Sequence, residues 1–164
     1  MIKKILFTLV VLLVIIQFIK PDKNVTAGEQ KNAIATKYTV PDTVANILAV
    51  ACYDCHSNNT RYPWYYNIQP IAWWLNDHVN EGKQHLNFDE FTTYSLRRQD
   101  HKLEDFTDSQ KEGWMPLDSY TWIHKDANLT GRQKETLIDW ASKLRSEIQL
   151  NPKFAASPPE KKQN

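Results

Sequence analysis

Cys52-Tyr53-Asp54-Cys55-His56 contains both cysteines of this 164-residue chain, and no other stretch constrains the fold as strongly. Residues three apart on a helical turn share a face, so both thiols can reach the same edge of a planar ring. The histidine directly after the second thiol then lies beneath that ring. Cys-x-x-Cys-His is the attachment pattern of c-type haem. The thiols add to the two vinyl groups as thioethers, and the imidazole takes the iron from the proximal side. Whatever the chain folds into, it must build a pocket around this segment.

A second ligand is available well downstream. Met115 is the only methionine besides the initiator. Pro116 follows it and cannot continue the preceding helical pattern, so the thioether is presented from the turn Gly113-Trp114-Met115-Pro116. Thioether ligation favours ferrous iron and raises the potential relative to two imidazoles. The plainer role for Met115 is a gap-filling core residue. His78, His85, His101 and His124 are rival distal ligands. His78, beside Trp73 and Trp74, is the best placed of them, whereas His124 is expected to order the loop after Met115. Two other uses of the thiols lack support. A thioredoxin-like dithiol usually accompanies a βαβ pattern, and zinc needs a further set of Cys or His ligands at matching spacing.

Export fits covalent haem. Lys3-Lys4 precede an apolar run over residues 5–19, interrupted only by Thr8 and Gln17. At ~1.5 Å per residue this run covers roughly 22 Å, short of the ~30 Å bilayer core. Residues 1–20 are expected to be a retained signal-anchor, a single transmembrane helix with the basic end in the cytoplasm. Cleavage after Val25-Thr26-Ala27, releasing the chain to the periplasm, is the alternative; the polar stretch Lys20-Pro21-Asp22-Lys23 separates that site unusually far from the apolar run. Either way the remainder faces an oxidising compartment, where two lone cysteines would otherwise close a disulfide. The formal charge is +1 and no basic block occurs, which argues against nucleic acid as a partner.

Residues 21–38 are polar and aperiodic, and read as a linker. Residues 39–149 read as the domain, and 150–164 as a disordered tail. Val44, Ile47, Leu48, Ala51 and Cys55 fall on one face of a helix that starts near Pro41 and ends in the haem motif. Thr130-Gly131-Arg132-Gln133 has the form of a capping box, and Leu137, Trp140, Ala141, Leu144 and Ile148 make the apolar stripe behind it. Two further helices are expected over residues 70–84 and from about 100 to 112. Tyr62-Pro63-Trp64-Tyr65-Tyr66 and Trp73-Trp74 could wall the haem or simply supply core. The acidic stretch Asp100, Glu104, Asp105 and Asp108 alternates with Lys102 and Lys111, as a solvated face does.

Beyond the motif itself, Ser57-Asn58, Thr60 and Pro63-Trp64-Tyr65 follow in order. His78-Val79, Gly82, Leu86-Asn87, Met115-Pro116, Tyr120, His124, Ala127, Leu129-Thr130 and Trp140 come after them. Together, over residues 40–145, these resemble the exported haem-binding domain family of c-type proteins. The resemblance implies a cytochrome c-like helical fold, covalent haem and Met115 as sixth ligand, but not a task. The expected molecule is all-α, a class I cytochrome c-like helical domain around one covalent haem c. Cys52 and Cys55 hold the haem, and His56 and Met115 ligate its iron. Trp64, Tyr65, Trp73, Trp74, His78, Pro116 and Tyr120 are the expected pocket residues. The expected function is single-electron carriage on the periplasmic side of a bacterial cytoplasmic membrane, with redox proteins as partners. The alternative is a peroxidase or a gas or redox sensor with an open or weakly held distal position.

Overall fold

The computed structural model describes residues 1–157. Among these, the helices are α1 (Ile2–Ile16), α2 (Asp42–Ala51), α3 (Tyr53–His56), α4 (Ile71–His85), α5 (Leu96–Glu112), α6 (Asp118–Thr121) and α7 (Gly131–Gln149). Short 3₁₀ segments lie at Ile34–Thr36, Trp64–Asn67, Phe88–Thr93 and Lys125–Ala127. No strand forms among the described residues; one isolated antiparallel bridge joins Val25 to Asn59. The fold is all-α.

The long helices begin and end where local chemistry requires. Thr130 Oγ1 accepts from the Gln133 amide and Gln133 Oε1 accepts from the Thr130 amide, completing the capping box of α7. All five residues of the expected α7 stripe are buried. α5 starts earlier than expected because Ser95 caps it, accepting from the Arg98 amide. It stops at Gly113, whose φ of +79° is the left-handed conformation that glycine adopts without penalty.

The principal helix pair is α5 with α7. Leu103 and Phe106 share one core with Leu137, Trp140, Ala141 and Leu144. Arg145 forks at 2.8 Å to both Asp100 and Glu104, so two carboxylates of the supposed solvated face belong to this seam. α2 also touches α7.

Three expectations need correction. The transmembrane helix is not supported: α1 is fifteen residues, and no helix among the described residues is long and apolar enough to cross a membrane. The segment 21–38 is not a tether. Ile34 and Tyr38 belong to the core, and the Tyr38 hydroxyl donates to Gln99 at 2.6 Å. Asn24 donates to the Ser57 carbonyl and to Thr60, each at 2.9 Å. Isolated apolar residues in a polar stretch carry no periodicity, so pattern alone could not reveal them. The tail is ordered at its start, where Phe154 packs on the core and Arg97 donates to the Ala155 carbonyl at 3.0 Å. The rest of the expected tail, residues 158–164, lies outside the described residues.

Candidate functional site

The haem motif does not ride on the last turn of one helix. α2 ends at Ala51, Cys52 leaves helical geometry (φ −127°), and the chain turns into the single-turn α3. The Cys55 and His56 amides both donate back to the Cys52 carbonyl, which closes that turn. Both thiols and the imidazole end up on one cavity of about 490 Å³, inside the ~300–1,000 Å³ range of cofactor sites. One side carries Cys52, Cys55 and His56 with His78, Gly82 and His85 of α4, the helix packed on α3. The lining also includes the C-terminal half of α5, with Phe106, Ser109 and Gln110, followed by Met115, Pro116 and Tyr120.

His56 is set up as a ligand. Its Nδ1 lies 2.9 Å from the Leu86 carbonyl oxygen. A carbonyl can only accept, so Nδ1 bears the proton and Nε2 keeps its lone pair. Burial lowers the imidazole pKa, outweighing the backbone hydrogen bonds that raise it, and so favours the neutral form that metals take. Leu86 is the residue that caps α4, so one helix end fixes the tautomer.

Gly82 lets α4 lie this close. A Cβ there would meet the Cys55 carbonyl oxygen at 2.8 Å and the Cys55 Cβ at 3.0 Å. From the far side the motif is held through Asp54, which is buried. Its carboxylate accepts from the Arg61 amide and Nε, each at 3.1 Å, and from the Tyr120 hydroxyl at 2.8 Å. Burial, then the bond to Asp54, raises the Tyr120 pKa and keeps the phenol a donor. Tyr120 in turn stacks on His124 at 4.2 Å, and His124 Nε2 is 2.9 Å from the Tyr65 hydroxyl. His124 therefore orders this loop, as expected, and does not line the cavity.

Below the motif, Asn58 donates to Gln30 and Glu90 and accepts from Asn87, which ties it to the turn after α4.

The cavity gathers Cys52, Cys55, His56, Met115, His78, Pro116 and Tyr120, but not Trp64, Tyr65, Trp73 or Trp74. The last four sit on or before the first turn of α4 and serve other contacts. Trp64 is exposed, Trp73 donates to the Ile19 carbonyl at 2.9 Å, and Trp74 rests on His78 at 4.3 Å. Sequence reasoning missed Asp54, Gly82 and the Leu86 carbonyl as positioning groups. Gly82 and Leu86 had appeared only as matches in the resemblance. His85 lines the cavity as well, whereas His101 sits at 3.6–3.7 Å from Asp105 and Glu104 on the α5 surface.

Haem would suit this lining. Ala51, Leu86, Phe88, Phe106 and Leu117 offer apolar surface for a porphyrin. Gln110 is buried with its Oε1 lacking any hydrogen-bond partner, an acceptor that only a donor such as water could satisfy. The thiols do not suit redox exchange. Burial pushes Cys52 up to about 12 and Cys55 up to about 11, the opposite of a reactive dithiol.

The family model of the haem-binding domain matches residues 11–143, and the chain belongs to that family. The match begins inside α1 and runs through the segment expected as a linker. No curated protein and no solved structure matches the chain.

Proposed function

We propose that this haem-binding protein is an exported monohaem c-type cytochrome that carries single electrons. Cys52 and Cys55 hold the haem as thioethers, and His56 and Met115 ligate the iron. The observation that carries this reading is the single cavity shared by the two thiols, a His56 with free Nε2, and Met115 from the loop after α5. The haem supplies the cycle between ferric and ferrous iron.

The chain's own residues keep that cycle cheap. The Leu86 carbonyl holds the His56 ring in one orientation, so the proximal ligand is already placed in either oxidation state. Phe88, Phe106, Leu86 and Leu117 exclude water, which limits solvent reorganisation around the iron. With both axial positions filled, no substrate site remains. Electrons would pass at the cavity rim, where Glu81, Asp105, Asp108 and Glu112 stand. The apolar N-terminal segment directs the chain to the periplasmic side of the membrane and keeps it near membrane oxidoreductases, making each encounter a two-dimensional search.

One observation favours a second reading, a peroxidase or sensor. His78 lines the cavity with Nδ1 2.9 Å from the Trp74 carbonyl, so its Nε2 lone pair is free to act as base or ligand. Against it, His78 shares with Gly82 the helix packed on the haem motif, whereas Met115 comes from the loop after α5. The test is the oxidised protein's near-infrared sulfur-to-iron band, read beside a redox titration. A His/Met carrier shows the band and a reversible one-electron wave, and Met115→Ala abolishes the band. Absence of the band in wild type, with loss of haem spectral features in His78→Ala, would install the second reading instead.

A further inference from the structure

After Lys3-Lys4, α1 is apolar on every face apart from Thr8, and each of its residues from Ile2 to Ile15 is exposed, so this stretch requires an apolar medium. Its C-terminal end is not free to swivel. Gln17 accepts from the Gln69 amide at 2.9 Å and donates to the Gln69 carbonyl at 3.2 Å. The Ile19 carbonyl then accepts from both Gln69 Nε2 and Trp73 Nε1, each at 2.9 Å. The bridge between Val25 and Asn59 and the Asn24 bonds continue the attachment. Thus the helix and the domain are clasped together at the turn before α4.

Large apolar side chains are exposed at this same junction. Ile71 and Trp74 are three apart on the first turn of α4, and Trp64 and Ile68 lie in the segment that leads into it. Trp64 is 76% exposed and Trp74 45%, while Phe18 and Ile19 add their own exposed surface from the other side of the clasp. Lys20 and Lys23 are exposed beside them. Ile68 and Trp74 are the chain neighbours of the clasp residues Gln69 and Trp73, so an apolar medium that receives α1 ends next to them. Tryptophan at a junction of apolar and charged surface is the composition of a headgroup-level belt, and the lysines complement anionic lipid.

We propose that Trp64, Ile68, Ile71 and Trp74 form a lipid-docking face that, with α1 in the same membrane, holds the domain against the bilayer in one orientation. This rests on the reading that α1 is retained in a membrane. It replaces a swinging tether by a fixed stance. Trp74 rests on His78, which lines the haem cavity, so the cavity begins about one helical turn from the lipid face.

The test uses the full haem-loaded chain in vesicles of phosphatidylcholine and phosphatidylglycerol, with and without bromine on the acyl chains near the headgroups. Flotation with the vesicles reads the membrane association of α1. Tryptophan quenching by the brominated lipid, taken as a ratio to ordinary lipid so that haem quenching cancels, reads the face. The expected result is strong quenching in wild type, most of it lost in Trp64→Phe/Trp74→Phe and unchanged in Trp122→Phe, an exposed tryptophan outside the face. Flotation without quenching would overturn the docking face alone, including the case in which the face covers a second copy of the chain. Equal loss of quenching in Trp122→Phe would overturn it too. Failure to float would overturn both the face and the membrane reading beneath it.

Discussion

Gly82→Ala tests how the motif is held. An unhindered Gly→Ala change in a helix interior stabilises by ~0.8–1.0 kcal/mol. Here the new Cβ would stand 2.8 Å from the Cys55 carbonyl oxygen, 3.0 Å from Cys55 Cβ and 3.3 Å from the Cys55 carbonyl carbon. Carbon contacts are comfortable at ~3.5–4.0 Å, so α4 would have to retreat by ~0.5–1 Å. Overpacking of this kind costs ~1–3 kcal/mol, and the backbone atoms met here cannot rotate away. Because those atoms cannot give, the cost falls toward ~3 kcal/mol, and after the helix gain the net loss is about 2 kcal/mol, or roughly 4–8 °C in Tm for a chain of this size. The retreat would also draw the Leu86 carbonyl from His56 Nδ1, so axial ligation should weaken alongside stability. Thermal unfolding with absorption readout would measure both. Gly131→Ala is the control, since a Cβ there meets nothing within 4 Å and should leave Tm unchanged or slightly raised. A Gly82→Ala protein as stable as wild type, with unaltered haem bands, would refute the close approach of α4 to the motif.

Other outcomes follow from the same contacts. Ile34→Ala removes a side chain that is 1% exposed, so urea unfolding should show a loss of ~2–5 kcal/mol; no loss would restore the segment to a tether. Tyr120→Phe deletes a donor 2.8 Å from the Asp54 carboxylate and should cost up to ~1.5–3 kcal/mol, the worth of a hydrogen bond to a charged group. Equal melting temperatures for the two proteins would mean that Tyr120 does not brace the motif. Met115→Leu keeps the volume but removes the sulfur, so potentiometric titration should give a lower midpoint potential; an unchanged potential would leave Met115 a packing residue.

Where local chemistry decided structure, it was readable in advance. The capping box at Thr130, the apolar stripe from Leu137 to Ile148 and the glycine stop at Gly113 all follow from interactions within one turn. The meeting of Cys52, Cys55, His56 and Met115 was legible because haem chemistry demands those residue types, wherever the backbone runs. Illegible were contacts made by backbone atoms or between distant single residues. Nothing in residue 86 as a leucine announces that its carbonyl will face His56. Asp54 looked like a spacer between two thiols, and only the return of Arg61 and Tyr120 to its carboxylate gives it a role. The aromatic run was misassigned because ring density does not say which way the rings face; Trp64, Trp73 and Trp74 point to the N-terminal segment or solvent. Ile34 and Tyr38 hid in polar surroundings, and the principal pairing of α7 with α5 is a tertiary choice that neither helix's own pattern encodes.

The central claim is covalent haem on Cys52 and Cys55. Its most direct measurement is the intact mass of the protein made with c-type maturation machinery, taken after acid-acetone extraction. The account predicts one haem's mass retained on the chain in wild type and none retained when both cysteines are replaced by serine. Wild-type protein that gives up all its haem to the solvent, leaving two free thiols, would contradict it.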